Sequence, residues 1–177
     1  NRELVARALG YDLPTTPPEY GIQAPVPPTL ALPRKGGGDL ADRPYVVCLH
    51  GTSRTSKEWP ESHWRELAGR LAAKGYVAVF PWGNETEKSR AGCLCADGGS
   101  AIVLPRLGLR DLAAILGRAQ AVVGVDSGLT HLACALNRPT VAIYTDTSPV
   151  LTGVYPRDPS RAMNLGDSGT IPTVDAV

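Results

Sequence analysis

The densest chemistry in the chain lies in Asp126-Ser127-Gly128-Leu129-Thr130-His131. The apolar run Val122 to Val125 enters this segment, and Leu129, Leu132, Ala133 and Leu136 follow at i, i+3, i+4 and i+7, the spacing of one helix face. A run without polar alternation suits a parallel strand buried on both faces. The segment therefore reads as a strand-to-helix corner at the C-terminal edge of a sheet. The first N–H groups of a helix lack internal partners and carry the positive end of its dipole, so Ser127, Gly128 and Leu129 can hold a phosphate. Gly128 lets a ligand approach the backbone, Asp126 serves as N-cap or accepts a ligand hydroxyl, and Thr130 and His131 add polar groups on the first turn. A capped core helix without any ligand is the competing reading.

Two further loops carry related chemistry. His50-Gly51-Thr52-Ser53-Arg54-Thr55-Ser56-Lys57 follows an apolar run and offers hydroxyls, a glycine for close approach and two cations, a composition suited to phosphate oxygens. It is neither a GxxxxGK[ST] nor a GxGxxG loop. Pro81-Trp82-Gly83-Asn84-Glu85-Thr86-Glu87-Lys88 adds carboxylates that can accept ribose hydroxyls, although Glu85 and Glu87 also suit the exposed first turn of a helix.

The elements that must position these loops alternate regularly. Strands are expected at Tyr45 to Leu49, Tyr76 to Phe80, Ala101 to Leu104, Ala121 to Val125 and Thr140 to Tyr144. Helices are expected from Pro60 to Gly75, from Glu85 to about Cys95, through Leu109, Leu112, Ala113 and Leu116, and from Leu129 to Leu136. Such alternation implies right-handed βαβ units, hence a Rossmann-like α/β fold with a parallel sheet and helices on both faces, its ligands outside the carboxyl ends of the strands. Before it, Leu4, Val5, Ala8 and Leu9 suggest a short helix ended by Gly10, and Pro14 to Asp42 read as a Pro/Gly-rich linker. The expected division is 1–44 for the end of a preceding domain and the linker, 45–155 for the Rossmann-like domain, and 156–177 for a tail.

With 177 residues, 43% hydrophobic and 20% charged, the composition is that of an ordinary globular domain. A net charge of +1 gives no general field for nucleic acid, so any anion must be met by local groups. Cys48 and Cys134 lie in apolar stretches as buried thiols, and Cys93-x-Cys95 has no second ligand pair to make a metal site. The cysteine usage fits a reducing cytoplasm. No apolar run reaches the ~20 residues that span a bilayer. The start at Asn1 suggests a piece of a longer chain.

In combination, Leu49-His50-Gly51-Thr52-Ser53-Arg54, Lys57-Glu58-Trp59-Pro60-Glu61-Ser62-His63-Trp64, Pro81-Trp82-Gly83 and Asp126-Ser127-Gly128-Leu129-Thr130-His131-Leu132 resemble the C-terminal half of the lipopolysaccharide heptosyltransferases. The likeness runs from Tyr45 to Tyr155, with a weaker match of Asn1 to Gly21 to the end of a preceding domain. The Lys-Trp-Pro-His-Trp segment points to the enzymes adding the first heptose, and the Asp-Ser-Gly-x-x-His corner is shared with those adding the second. The resemblance implies a two-domain, inverting GT-B glycosyltransferase that needs neither metal nor cofactor. This half would bind ADP-L-glycero-β-D-manno-heptose and an N-terminal domain the Kdo-lipid A acceptor, at the cytoplasmic face of the inner membrane.

The resemblance further assigns Thr52, Ser53 and Lys57 to the diphosphate, Glu87 to the adenosine ribose, Leu107 to the adenine surroundings, and Asp126, Ser127, Gly128 and His131 to the phosphates and heptose. The catalytic base it implies is an aspartate of the N-terminal domain, so this chain alone is expected to bind donor without transferring sugar. One departure concerns the last loop, where many relatives have Gly-Pro-Thr-x-Pro and this chain has Thr145-Asp146-Thr147-Ser148-Pro149. The alternatives are an adenine-nucleotide-binding module without catalysis, the related heptosyltransferases that add the second heptose, and a phosphate-cleaving hydrolase using His131 and Asp126. The last of these lacks a nucleophile elbow.

Overall fold

The computed structural model describes residues 2–25, 40, 43–96 and 101–177. Residues 14–25 of the expected linker form no helix or strand. The remainder of that linker, apart from Leu40, lies outside the described residues.

Strand β1 (Tyr45–Leu49) is buried along its whole length, and its side chains alternate between two cores. Tyr45, Val47 and Leu49 join Leu112, Ile115 and Leu116 of α4 (Leu109–Arg118) and Ala133 of α5 (Gly128–Ala135). Val46 and Cys48 join Trp64 and Leu67 of α2 (Glu61–Ala73) and Ala91 and Leu94 of α3 (Glu85–Leu94). A strand covered on both faces has no use for polar alternation, which is why this one reads as a continuous apolar run. The same holds for β2 (Val77–Phe80) and, apart from its first residue, for β4 (Ala121–Val125).

With β3 (Ala101–Val103), β5 (Thr140–Tyr144) and β6 (Ala162–Gly166), these strands form one sheet in the order β3-β2-β1-β4-β5-β6, every neighbouring pair parallel. The expected α/β parallel architecture is therefore present. Pro60 stands immediately before α2, and Gly75 at φ +83 ends its C-terminal turn in a conformation that costs glycine little.

Three expectations need correction. The residues after Tyr155 are not a tail, because β6 pairs with β5 over five positions, from Thr140 with Ala162 to Tyr144 with Gly166. Beyond it Val174 enters the α2-side core, and Trp59 Nε1 donates to the Pro172 carbonyl at 2.9 Å. This strand escapes a sequence reading because Ala-Met-Asn-Leu-Gly has neither an apolar run nor β-branched residues. Secondly, Leu109 is exposed and the buried face of α4 is Leu112, Ala114, Ile115 and Leu116, a phase set by docking on the sheet. Thirdly, α1 (Arg2–Leu9) leaves Leu4, Val5 and Leu9 exposed and buries Ala6 instead.

Trp59 and Trp64 meet edge to face with centroids 5.0 Å apart, so the C-terminal segment is stapled to the centre of one core. Trp59→Phe retains the ring but strands a buried carbonyl. It is expected to destabilise the fold by about 1–3 kcal/mol in urea titration. An unchanged midpoint would show that Pro172 is held by other means.

Candidate functional site

The strand order reverses between β1 and β4. In an open parallel sheet the loops leaving two such strands diverge, and the crevice between them receives the ligand. Two of the three polar loops singled out above leave from these strands, and the third leaves from β2 beside them.

The corner after β4 is built around a missing side chain. Any Cβ at Gly124 would collide with Thr130 Oγ1 and stand 3.0 Å from Leu49 Cβ. Thr130 uses that space to donate to the Val125 carbonyl at 2.7 Å and is fully buried. It therefore closes the corner and is not a ligand group, contrary to the expectation for it. Ser127 is the N-cap residue, its Oγ 3.1 Å from Thr130 Oγ1, so Asp126 is freed from capping. The Thr130 and His131 N–H groups bond the Ser127 carbonyl, while those of Gly128 and Leu129 take no partner among the described residues. Gly128 is exposed and faces open space. These are the conditions for an anion at a helix N-terminus.

Lys57 reaches this corner from the 3-10 turn Thr55–Lys57, and its Nζ lies 2.6 Å from Asp126 Oδ2. The two side chains are 14% and 8% exposed. Removing one partner of so buried a pair strands the other charge, at a cost of about 3–5 kcal/mol. Thr147 donates to the same Oδ2 at 2.7 Å. Burial pushes the Asp126 carboxyl up, but the Lys57 and Thr147 hydrogen bonds, with the charges of Lys57 and His131, outweigh it and hold the group below its ordinary value. Thr52 Oγ1 donates to the Asp126 carbonyl at 3.1 Å, locking the β1 loop to the β4 corner. Ser53 and His131 are exposed beside them.

Glu87 sits in the first turn of α3, where Asn84 Oδ1 accepts its N–H at 2.9 Å. Its Oε2 accepts the Gly83 N–H at 2.7 Å. A Cβ at Gly51 would stand 2.7 Å from Glu87 Cδ. Gly51 thus serves close approach as expected, but the group approaching it is the Glu87 carboxylate. Further along the rim, Trp82 Nε1 donates to the Leu104 carbonyl at 2.6 Å. Leu107, half-buried against the α4-side core, belongs to the loop after β3 and is tied to no other site residue by a hydrogen bond. The structure thus joins Thr52, Lys57, Asp126, Ser127 and Gly128 in one cluster, sets Glu87 beside it through Gly51, and leaves Leu107 further out.

Sequence reasoning left two groups without a role. The loop after β5 is stitched to the crevice by Thr145 Oγ1 to the Ser56 carbonyl at 2.8 Å and by Ser56 Oγ to Asp146 Oδ2 at 2.6 Å. Its run of hydroxyls at a strand's carboxyl end was the available signal. His50, at the end of β1, is fully buried with its ring 5.9 Å from Phe80 and no hydrogen bond of good geometry to either nitrogen. Burial and the Arg90 charge push its pKa down to about 4, against weaker upward pulls from Glu87, the Pro81 backbone and Glu61. The imidazole is neutral at pH 7.

Among the described residues no group of three or more His, Cys, Asp or Glu is placed to hold a metal, and no helix is long and apolar enough to cross a membrane. Cys93 and Cys95 are free thiols.

The strand order and its switch-point crevice define a Rossmann-like α/β domain, and superposition on a solved heptosyltransferase makes it one of the GT-B glycosyltransferase type. A family model for glycosyltransferase family 9 (heptosyltransferase) matches residues 1–175. The chain belongs to this family. It is 44% identical over 156 residues to lipopolysaccharide heptosyltransferase 1 of Pseudomonas aeruginosa, covering 88% of this chain and 41% of that protein. It is 42% identical over 154 residues to the Escherichia coli K12 protein of the same name, covering 87% and 46%. The solved structure of E. coli heptosyltransferase WaaC with ADP superposes with a TM-score of 0.79 at 36% identity, covering 99% of this chain and 52% of that one. WaaC with ADP-2-deoxy-2-fluoro heptose gives 0.75 at the same identity, covering 99% and 51%. The chain spans about half the length of the relatives it matches.

The lowered His50 pKa makes stability depend on pH. The folded form binds its proton only near pH 4, whereas an unfolded histidine binds at about 6.5, so this contribution is complete above pH 6.5 and is lost as pH falls toward 4. Urea titrations are expected to show about 2–3 kcal/mol less stability at pH 4.5 than at pH 7, and His50→Gln should flatten that slope. Equal slopes in the two proteins would rule His50 out as the cause.

Proposed function

We propose that this chain is the donor-binding half of an inverting, metal-independent heptosyltransferase. The enzyme would transfer L-glycero-D-manno-heptose from its ADP derivative to Kdo-lipid A, adding the first heptose of the lipopolysaccharide inner core. The relatives at 42–44% identity carry the name heptosyltransferase 1, and WaaC has been solved with ADP and with a fluorinated ADP-heptose. The observation that carries the reading is Lys57 Nζ, fixed by Asp126 at the mouth of α5 beside the open N–H groups of Gly128 and Leu129.

The mechanism follows from where charge develops. As the acceptor hydroxyl attacks the anomeric carbon, the bond to the β-phosphate oxygen breaks and ADP departs with growing negative charge. An ammonium and oriented backbone N–H groups in a crevice of low dielectric stabilise that charge without reorganising, the role a divalent ion plays elsewhere. Thr52 and Ser53 add donors to the diphosphate, and Ser127 and His131 border its path to the sugar. Glu87, held on Gly83 N–H against Gly51, presents its carboxylate to the ribose hydroxyls, with Leu107 toward the base. The acceptor and the aspartate base would come from the half of the relatives that this chain does not match, and the reaction would take place at the cytoplasmic face of the inner membrane.

Calorimetry with ADP is the direct test. Lys57→Ala should weaken binding by about 1.5–3 kcal/mol, the range for a hydrogen bond to a charged group, and EDTA should change nothing. Strong dependence on a metal, or full affinity in the variant, would overturn the site. Gly51→Ala expels the Glu87 carboxylate from its seat, so it should weaken ADP while sparing inorganic pyrophosphate. Equal losses for both ligands would place Gly51 against the phosphates instead.

A further inference from the structure

The loop leaving β5 has no part in the donor contacts above, yet one of its side chains touches the group that governs them. Thr147 Oγ1 donates to Asp126 Oδ2 at 2.7 Å, the same oxygen that receives Lys57 Nζ at 2.6 Å. Asp126 is 8% exposed, so water cannot readily replace a donor that leaves. The two donors come from different loops. Lys57 belongs to an exposed single-turn segment, whereas Thr147 follows β5, which is paired on both sides in the sheet.

Donor binding makes a demand on this arrangement. An ammonium has three N–H groups and Lys57 spends one on Asp126, so two remain for a diphosphate as long as the carboxylate keeps its place. Without a second donor, Asp126 would be free to turn and would draw the ammonium away from the phosphates. The Thr147 hydroxyl remains on Oδ2 and, being uncharged, does not compete with the phosphates for position. Its neighbours hold it there, through Thr145 Oγ1 on the Ser56 carbonyl and Asp146 accepting from Ser56 Oγ.

We propose that Thr147 is a positioning residue of the donor site: its hydroxyl keeps Asp126 oriented and satisfied, so that the carboxylate holds the Lys57 ammonium aimed at the diphosphate. The inference rests on the donor-binding reading of the crevice. It assigns function to a loop whose sequence departs from Gly-Pro-Thr-x-Pro, since the hydroxyl at Thr147 is the feature that matters.

The test uses Thr147→Val and Thr147→Ser in the whole chain, with two measurements. ADP affinity by calorimetry should fall roughly tenfold in Thr147→Val and return to within about twofold of the parent in Thr147→Ser. Carboxyl-detected NMR titration without ligand should show the Asp126 pKa raised in the valine variant and restored in the serine variant, with Lys57 and His131 facing the carboxylate throughout. Parent-like ADP affinity in Thr147→Val would overturn the positioning role. Equal losses in both variants would also overturn it, because packing of the loop rather than the hydroxyl would then be responsible. Failure of the parent chain to bind ADP would count against the donor reading itself. The titration still decides the role of Thr147 in that case, and an unshifted Asp126 in Thr147→Val would refute it.

Discussion

Because β–α–β connections in a parallel sheet turn with one hand, the reversal of strand order at β1 and β4 forces α2 and α3 onto one face and α4 and α5 onto the other. The loops leaving those two strands must then part at their bases, and polar side chains, Thr52 and Lys57 among them, bridge them above the sheet edge. The crevice is a consequence of winding direction. Its depth follows from the same cause, since β1 is central in the sheet and covered on both faces, so a loop that leaves it begins in the protein interior. This is why His50, the first residue past β1, is fully buried although it belongs to a polar loop.

Within that crevice the electrostatics are local. The chain as a whole carries a net charge of +1, too little to steer an anion from a distance. Selectivity for phosphate has to come from groups already stripped of water, and the pair of Lys57 and Asp126 supplies one cation held by one anion at nearly no net charge. Such a pair resists filling by bulk ions, because any visitor must offer the ammonium more than the carboxylate does. On the proposed donor-binding reading, a diphosphate would do so with two negatively charged groups together, and the open N–H groups at Gly128 and Leu129 would add to its hold.

Most of the sheet was legible in the sequence because buried parallel strands announce themselves as apolar runs, and because Gly, Pro and first-turn acids mark where helices begin and stop. The corner at Asp126 was legible for the same reason, as a sharp change from a period-free apolar run to helical spacing. Edge strand β6 was not, since two of its five residues are exposed and none is fully buried, and its pairing energy comes from the backbone, which leaves no trace in residue type. At the site, the sequence could show which residue types were available but not which of them answer to one another. Thr130 and Thr147 look alike as hydroxyls near a phosphate corner. Only their three-dimensional neighbours separate a hydroxyl spent on the Val125 carbonyl from one that holds Asp126. Gly51 was read as space for a ligand when the space is occupied by the chain's own carboxylate, a contact between loops that only folding creates.

The bond between Lys57 and Asp126 joins positions 69 residues apart. Pairing of β1 with β4 closes a loop that contains α2, β2, α3, β3 and α4, and contacts of such long sequence separation slow folding. The crevice needs both of these strands in place. A ligand that bridges the two loops has nothing to hold in the unfolded chain, so by mass action it adds stability that grows with the logarithm of its concentration, about 2.7 kcal/mol at a hundred times its Kd. In a cell well supplied with its donor, the amount of this protein that survives proteolysis would then track the supply of the substrate, with the crevice acting as the fold's own quality check.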